Sequence, residues 1–467
     1  MTPPTLSIFA VLFLSSTMAL ANEPAVHAAP KNPSSAAASL RTPAFEKNRI
    51  RYKGAVADES AVMNAFISYG QSWRSQSVAI SSSGLIPDDG PGYAFAPKAK
   101  NTNTLLPAIS LPWVAEQYGD LEELNWNNTV TGSSNNATGN IGNIAARSFV
   151  KLSKKNGYSP FKVVDAGMAY PGYTWKQLQP GTQPWEVMVK AVKKVAAINE
   201  ANGKQTRWLG VGWTHGVFSP TDDFDYYAQL KEMVAAFDKL ALNEGNGGTH
   251  KPLHYFTDMF GGVSDMNVQA ANTLRQLDFA VAHASRVHLV NPRYPYPIAE
   301  GDNVHNTGMG YAQYGEVEGL AKYVTLVEGK TWEPFRILSG KIEGSTISLK
   351  VSQPMSGFGK PEIDVSQIEQ ASQYGFRVKA NGADIPIKKV SFPNATTIAL
   401  ELAPPKKLAA KLEVSYAWYG PGAPFGTHVG VWGNIKRKGP PSVLFQGKTI
   451  DLWLCNYLGT VERTPSK

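Results

Sequence analysis

A single cysteine, Cys455, stands among the 467 residues, so neither an internal disulfide framework nor an all-cysteine metal cage holds this fold. Stability must come from a packed core, which a chain of this length can supply. Long runs of one charge are also missing. Lysine and arginine number 45 against 37 acids, a net charge of +8. Without a concentrated basic stripe, that charge does not choose among anionic glycans, membrane surfaces and nucleic acid. With 43% hydrophobic and 18% charged residues, the composition excludes a disordered tail-like protein. No repeat with a period of roughly 20 to 50 residues is visible, which argues against a solenoid or propeller.

Apolar runs long enough to cross a bilayer are lacking as well. A spanning helix needs roughly 20 residues, and residues 8–21, IFAVLFLSSTMALA, fall short of that. The run ends in Ala19-Leu20-Ala21, a small-x-small cleavage pattern, and reads as a secretory signal peptide. The residues before it, MTPPT, carry no lysine or arginine, and an uncleaved N-terminal anchor is the alternative. The expected location is secreted or periplasmic. Residues 1–21 form the expected signal and 22–60 a leader, opening with a stretch rich in Ala, Pro and Ser.

From residue 61 strands and helices alternate. Val62, Met63, Phe66 and Ile67 belong to a buried strand that ends at the turn Gly70-Gln71-Ser72. A long polar loop is expected over 101–140, a helix over 144–152 and a strand over 161–167. Val189, Val192, Val195 and Ile198 have helical spacing, and Arg207 to Trp213 reads as a strand. The same alternation repeats through a helix containing Leu230 and Phe237, a strand at 253–257, a helix over 268–283 and a strand at 287–290. It predicts an α/β domain over 61–335, with a parallel sheet covered on both faces. Over 336–467, alternating runs such as TISLKV, TIALEL and KLEVSY separated by Gly, Pro and Asn predict a β-rich accessory domain, sandwich-like in form.

Ligands of open α/β sheets bind beyond the carboxyl ends of the strands. Ser72 lies there, at a turn where a following helix start would supply free N–H groups for an oxyanion. A helix cap is the plain structural alternative. Asp302 and His305, three positions apart, can pair as carboxylate and imidazole, and a serine hydroxyl needs such a base. His305 could equally be a satisfied residue at a helix start.

The ordered set Gly70-Gln71-Ser72, Gly142, Gly172, Trp213-Thr214-His215-Gly216 and Asp302-x-x-His305 resembles the SGNH hydrolase superfamily. Within it the chain most resembles the sialate O-acetylesterase and acetylxylan esterase-like branch, over roughly residues 61–322. The resemblance implies a flavodoxin-like α/β/α three-layer fold and ester hydrolysis through an acyl-serine. It implies Ser72 as nucleophile, His305 as base and Asp302 as its partner, with an oxyanion hole from Ser72, Gly142 and a third donor. Gly139 lies close to Gly142 in the same loop. Where the branch carries Gln-Gly-Glu, this chain has His215-Gly216-Val217, so an imidazole replaces the amide and the acid is lost.

Trp73, Gly172, Trp175 and Trp213 flank these segments and are the expected substrate-binding residues, since aromatic faces stack on sugar rings. Core packing is the alternative for each indole. The accessory domain has an aromatic group of its own, Tyr416, Trp418, Tyr419 and Trp432. Asp222, Asp223 and Asp225 read as a helix cap rather than a cation site. His250 and His254 are four apart but have Pro252 between them, which argues against zinc. The Gly-Lys-Thr ends at 329–331 and 447–449 lack the upstream glycine of a phosphate loop.

The expectation is a secreted serine esterase that removes O-acetyl groups from carbohydrate, with no metal and no cofactor. Its expected partner is an O-acetylated glycan, with no nucleic acid and no membrane span after signal removal. A non-catalytic glycan-binding protein on a degenerate hydrolase fold and a general carboxylesterase or lipase are the alternatives.

Overall fold

Strand β1 (Val62–Gly70) is buried along all nine residues, as a strand covered on both faces must be. This computed structural model describes residues 61–75, 94–99, 118–123, 141–159, 161–170, 172–215, 225–246, 251–259, 266–297, 305–403, 411–418 and 432–463. The expected signal peptide and leader, Asp302, Val217, Asp222, Asp223, His250 and Tyr419 lie outside them.

The helices are α1 (Ser72–Ser75), α2 (Ile141–Lys155), α3 (Trp175–Leu178), α4 (Gln183–Ala201), α5 (Tyr226–Asn243), α6 (Met266–Ala282) and α7 (Gly308–Lys322). Around β1 lie β2 (Ala94–Ala99), β3 (Tyr118–Glu123), β4 (Val163–Ala169), β5 (Gln205–Thr214), β6 (His254–Met259) and β7 (Val287–Pro292). Their spatial order is β3-β2-β4-β1-β5-β6-β7, parallel except for the β2/β3 pair. The run β4-β1-β5-β6-β7 has the flavodoxin-like order, in which the chain reverses direction beside the first strand and opens a crevice there.

Side chains alternate across β1. Phe66 joins the core under α2 and α7, while Ala65, Ile67 and Tyr69 face Trp185, Val192 and Phe237 of α4 and α5. Three layers result. The polar loop expected over 101–140 contains β3 instead, which pairs antiparallel with β2. Of the two, only β3 is an edge strand, and β2 pairs with β4 at Ala94 and Phe95 alone, so Pro97 lies where no partner on that side needs its missing N–H.

The C-terminal part contains β8 (Ile337–Glu343), β9 (Thr346–Val351), β10 (Pro361–Ile363), β11 (Phe376–Ala380), β12 (Ala383–Asp384), β13 (Ile387–Asn394), β14 (Thr397–Leu402), β15 (Lys411–Tyr416), β16 (Ile435–Arg437), β17 (Leu452–Trp453) and β18 (Tyr457–Arg463). They form an eight-stranded sheet, β12-β11-β15-β18-β8-β9-β14-β13, and a three-stranded one, β10-β16-β17. The core under α2 and α7 continues through Tyr294, Tyr311 and Trp332 to Tyr416, Ile435 and Trp453. Polar contacts follow the same path. The Glu316 carboxylate of α7 accepts from the Ser442 hydroxyl and the Val443 N–H, each at 2.7 Å, and from the Leu444 N–H at 2.9 Å. Asn291 at the end of β7 donates to the Asp451 carbonyl and accepts from the Trp453 N–H. The C-terminal part therefore braces α7 and the end of β7.

Candidate active site

Gly70 has φ +142°, and a Cβ there would lie 2.1 Å from the Thr214 carbonyl oxygen, so only glycine lets β1 turn this close to the end of β5. The Gln71 N–H then donates to that same carbonyl at 2.9 Å, and the Gln71 side chain donates to the Tyr173 carbonyl at 2.7 Å. Ser72 follows as the first residue of α1. Its Oγ lies 2.8 Å from Nε2 of His305, across 233 residues of chain. An unprotonated Nε2 at that distance can accept the hydroxyl proton. His305 is set by its neighbours, because Asn306 donates to the Tyr296 carbonyl at 2.7 Å and Thr307 caps α7 through the Gly310 N–H.

Gly142 is the second residue of α2, where helical N–H groups have no intrahelical acceptor. A Cβ there would meet Asp165 Oδ2 at 2.1 Å and Ser68 Oγ at 2.2 Å, so the glycine lets the helix start sit on this buried pair. Gly172 occupies an exposed turn at φ +69° with open space around it. His215 follows β5 with its ring fully buried, stacked between Trp213 and Tyr226, and its Nδ1 is 3.1 Å from the Tyr226 hydroxyl. The Trp faces expected to stack on sugars are covered. Trp73, Trp175 and Trp213 are 3%, 1% and 3% exposed. Trp175 packs edge-on against both Trp213 and His215 in the core, and Trp73 lies under the Arg293 guanidinium at 3.7 Å.

Beneath the serine lies a set of buried charges that the sequence reading missed. Arg74 pairs with Glu318 at 2.7 Å, Lys322 reaches the same carboxylate at 3.0 Å, and Arg293 pairs with Asp258 at 3.0 Å. The Ser68 hydroxyl donates to Asp165 at 3.0 Å. Burial opposes ionisation of Glu318, but Arg74 and Lys322 outweigh it and hold the carboxyl below its usual range. Burial pushes Asp258 up to about 6 against the pull of Arg293, and it raises Asp165 as well. Three cations thus face three acids. One signal was present in the sequence, Gly212 inside β5, whose missing side chain leaves the space the Arg74 guanidinium fills.

His254 is in strand β6 rather than on a helix. Its Nδ1 lies 2.9 Å from Nε2 of His288 on β7, with the rings stacked. Burial lowers His215 and His288 to about 3 and His254 to about 4. A depressed histidine leaves the unfolded chain holding more protons below its ordinary pKa of about 6.5, so stability falls as pH drops from there toward about 3 to 4. Asp258 acts in the opposite sense between about 4 and about 6, which makes the comparison with a variant informative. Replacing His215 with Gln is expected to flatten the acid limb of a stability curve by up to about 1.4 kcal/mol per pH unit. Parallel curves for the two proteins, from urea unfolding at a series of pH values, would contradict this.

Asp225 caps α5 through the Tyr227 and Ala228 N–H groups, as its place before the helix suggested. No group of three or more His, Cys, Asp or Glu that could hold a metal occurs among the described residues, and no described helix is long and apolar enough to cross a membrane.

No family model and no curated protein sequence matches the chain. Among solved structures it is similar to a carbohydrate acetylesterase from Xanthomonas citri, with 13% identity over 85% of this chain and 80% of that one and a TM-score of 0.47. It is also similar to NanS, with 10% identity over 57% and 98% and a TM-score of 0.35. For an aryl esterase from M. smegmatis the values are 10% identity, 55% and 97%, and 0.29.

Proposed function

We propose that this protein is an exported serine esterase that removes O-acetyl groups from carbohydrate. The observation that carries the reading is the 2.8 Å approach of Ser72 Oγ, just beyond the carboxyl end of β1, and His305 Nε2, just before α7. Ser72 attacks the acetyl carbonyl as His305 takes its proton, and the oxyanion forms near the N–H groups at the starts of α1 and α2. His305 returns the proton to the departing sugar oxygen, leaving an acetyl-serine. Water then gives its proton to His305 and attacks, and acetate leaves as Ser72 is reprotonated. Asp302 is the partner assigned to His305 by the resemblance to SGNH hydrolases.

His215 in place of an amide shapes the expected rate. The imidazole is buried with Nδ1 at the Tyr226 hydroxyl, and loss of the amide as an oxyanion donor lowers kcat by about 10²- to 10³-fold. Modest turnover is therefore expected. The test is acetate release from an aryl acetate and from O-acetylated glycans, beside an ester of a long acyl chain. Preference for acetyl on a glycan supports the reading. Preference for the long chain makes the protein a general carboxylesterase or lipase, and glycan binding without turnover makes it a binding protein.

A further inference from the structure

A second concavity lies far along the chain from Ser72, at the edge of the eight-stranded sheet. It has a volume of about 520 Å³ and is walled by β11, β12 and residues 370–375, within the range of roughly 300–1,000 Å³ typical of small-ligand sites. Its lining contains one cation and one anion, Arg377 and Asp384, joined as a fork with both N···O distances 2.6 Å. The cavity therefore presents no net charge. Gln370, Ser372 and Gln373 add amides and a hydroxyl, and Phe376 and Trp432 form its back.

The rim is built under strain. Gln373 and Tyr374 have φ of 50° and 57°, consecutive left-handed residues that are not glycine, in a turn that buries none of its own side chains. Such backbone persists only where its surroundings hold it. Here the Ala371 N–H donates to Asn434 Oδ1 at 2.7 Å and the Asn434 amide donates to the Glu369 carbonyl at 3.0 Å. The Trp432 indole donates to that carbonyl too, at 3.0 Å, and the Asn434 N–H donates to the Tyr374 carbonyl at 3.1 Å. Burial does not account for the strain, but holding Gln373 at the mouth of a polar cavity does.

We propose that this cavity binds a neutral carbohydrate, independently of the chemistry at Ser72. Sugar hydroxyls both donate and accept, which suits two amides, a hydroxyl and a forked Arg–Asp pair. An ionised ligand would have to break the fork, and a lipid would leave the amides without partners.

The test is calorimetric titration of the full chain with unacetylated xylotriose, mannotriose and cellotriose. At least one is expected to bind, and Gln373→Gly and Arg377→Ala are each expected to weaken it by about tenfold, as the loss of one or two hydrogen bonds would. Hydrolysis of aryl acetate stays unchanged in both. Glycine relieves the left-handed strain, so Gln373→Gly is expected to melt no lower than the parent, a result that separates a binding role from a structural one. The Arg377 pair is exposed and contributes little to folding. No binding of any of the three, or binding that survives both substitutions, overturns the proposal. Absence of acetate release by the parent protein would count against the esterase reading alone.

Discussion

Ser72→Ala is expected to lower kcat/KM for aryl acetate by about 10⁴- to 10⁶-fold with little change in unfolding free energy. Without Oγ there is no acyl-enzyme, and the residual rate comes from the oxyanion donors acting on water. His305→Gln is expected to cost a similar factor, since Ser72 then keeps its proton at the moment of attack. The double variant should be no slower than the worse single one, because the two groups perform one step between them. Acetate release and a burst of acetyl-enzyme in the parent measure this. A Ser72→Ala protein within tenfold of the parent would remove Ser72 from the mechanism, and multiplicative losses would mean that the pair does not act as a unit.

The second large effect concerns stability. Arg74→Met is expected to destabilise the fold by about 3–5 kcal/mol, the usual result of removing one partner from a buried ion pair. Arg74 and Glu318 have 0% side-chain exposure, so no water replaces the lost guanidinium. Of the local charges, Lys322 would then face both Glu318 and Asp165, leaving one negative charge in excess. Adding Asp165→Asn restores the balance and is expected to recover about 1–2 kcal/mol, a coupling that independent sites would not show. Urea unfolding of the parent, both single variants and the double gives the cycle. Strict additivity would show that the two groups do not share one field.

Arg74 lies two residues beyond Ser72, so the network also fixes the first turn of α1. In the same region Trp73 is held under Arg293, which is paired to Asp258 at the end of β6. Ser72 thus stands on a short helix anchored to α7, β6 and the end of β7, and the C-terminal part holds α7 and β7 through Glu316 and Asn291. Tyr416, one of the aromatic group of the C-terminal part, is a link of this kind. Its hydroxyl lies 3.1 Å from that of Tyr294 and accepts from the Ile435 N–H at 2.9 Å.

The amino-acid sequence determined the alternation of strands and helices, because strands buried on both faces read as continuous apolar runs and helices on a sheet show one apolar stripe. It also placed Ser72 and His305 on segments that follow strands, through a glycine turn and a helix start that are local chemistry. Tertiary structure decided the rest. Only the parallel order of β4-β1-β5-β6-β7 brings two residues 233 apart to 2.8 Å. Only packing made Trp73, Trp175 and Trp213 core residues, since an indole has the same composition whether its face is covered or open. Apart from Gly212, nothing in the sequence marks the buried charges: Arg74, Glu318 and Lys322 become core residues only when the fold places them against one another, where mutual pairing offsets the loss of water.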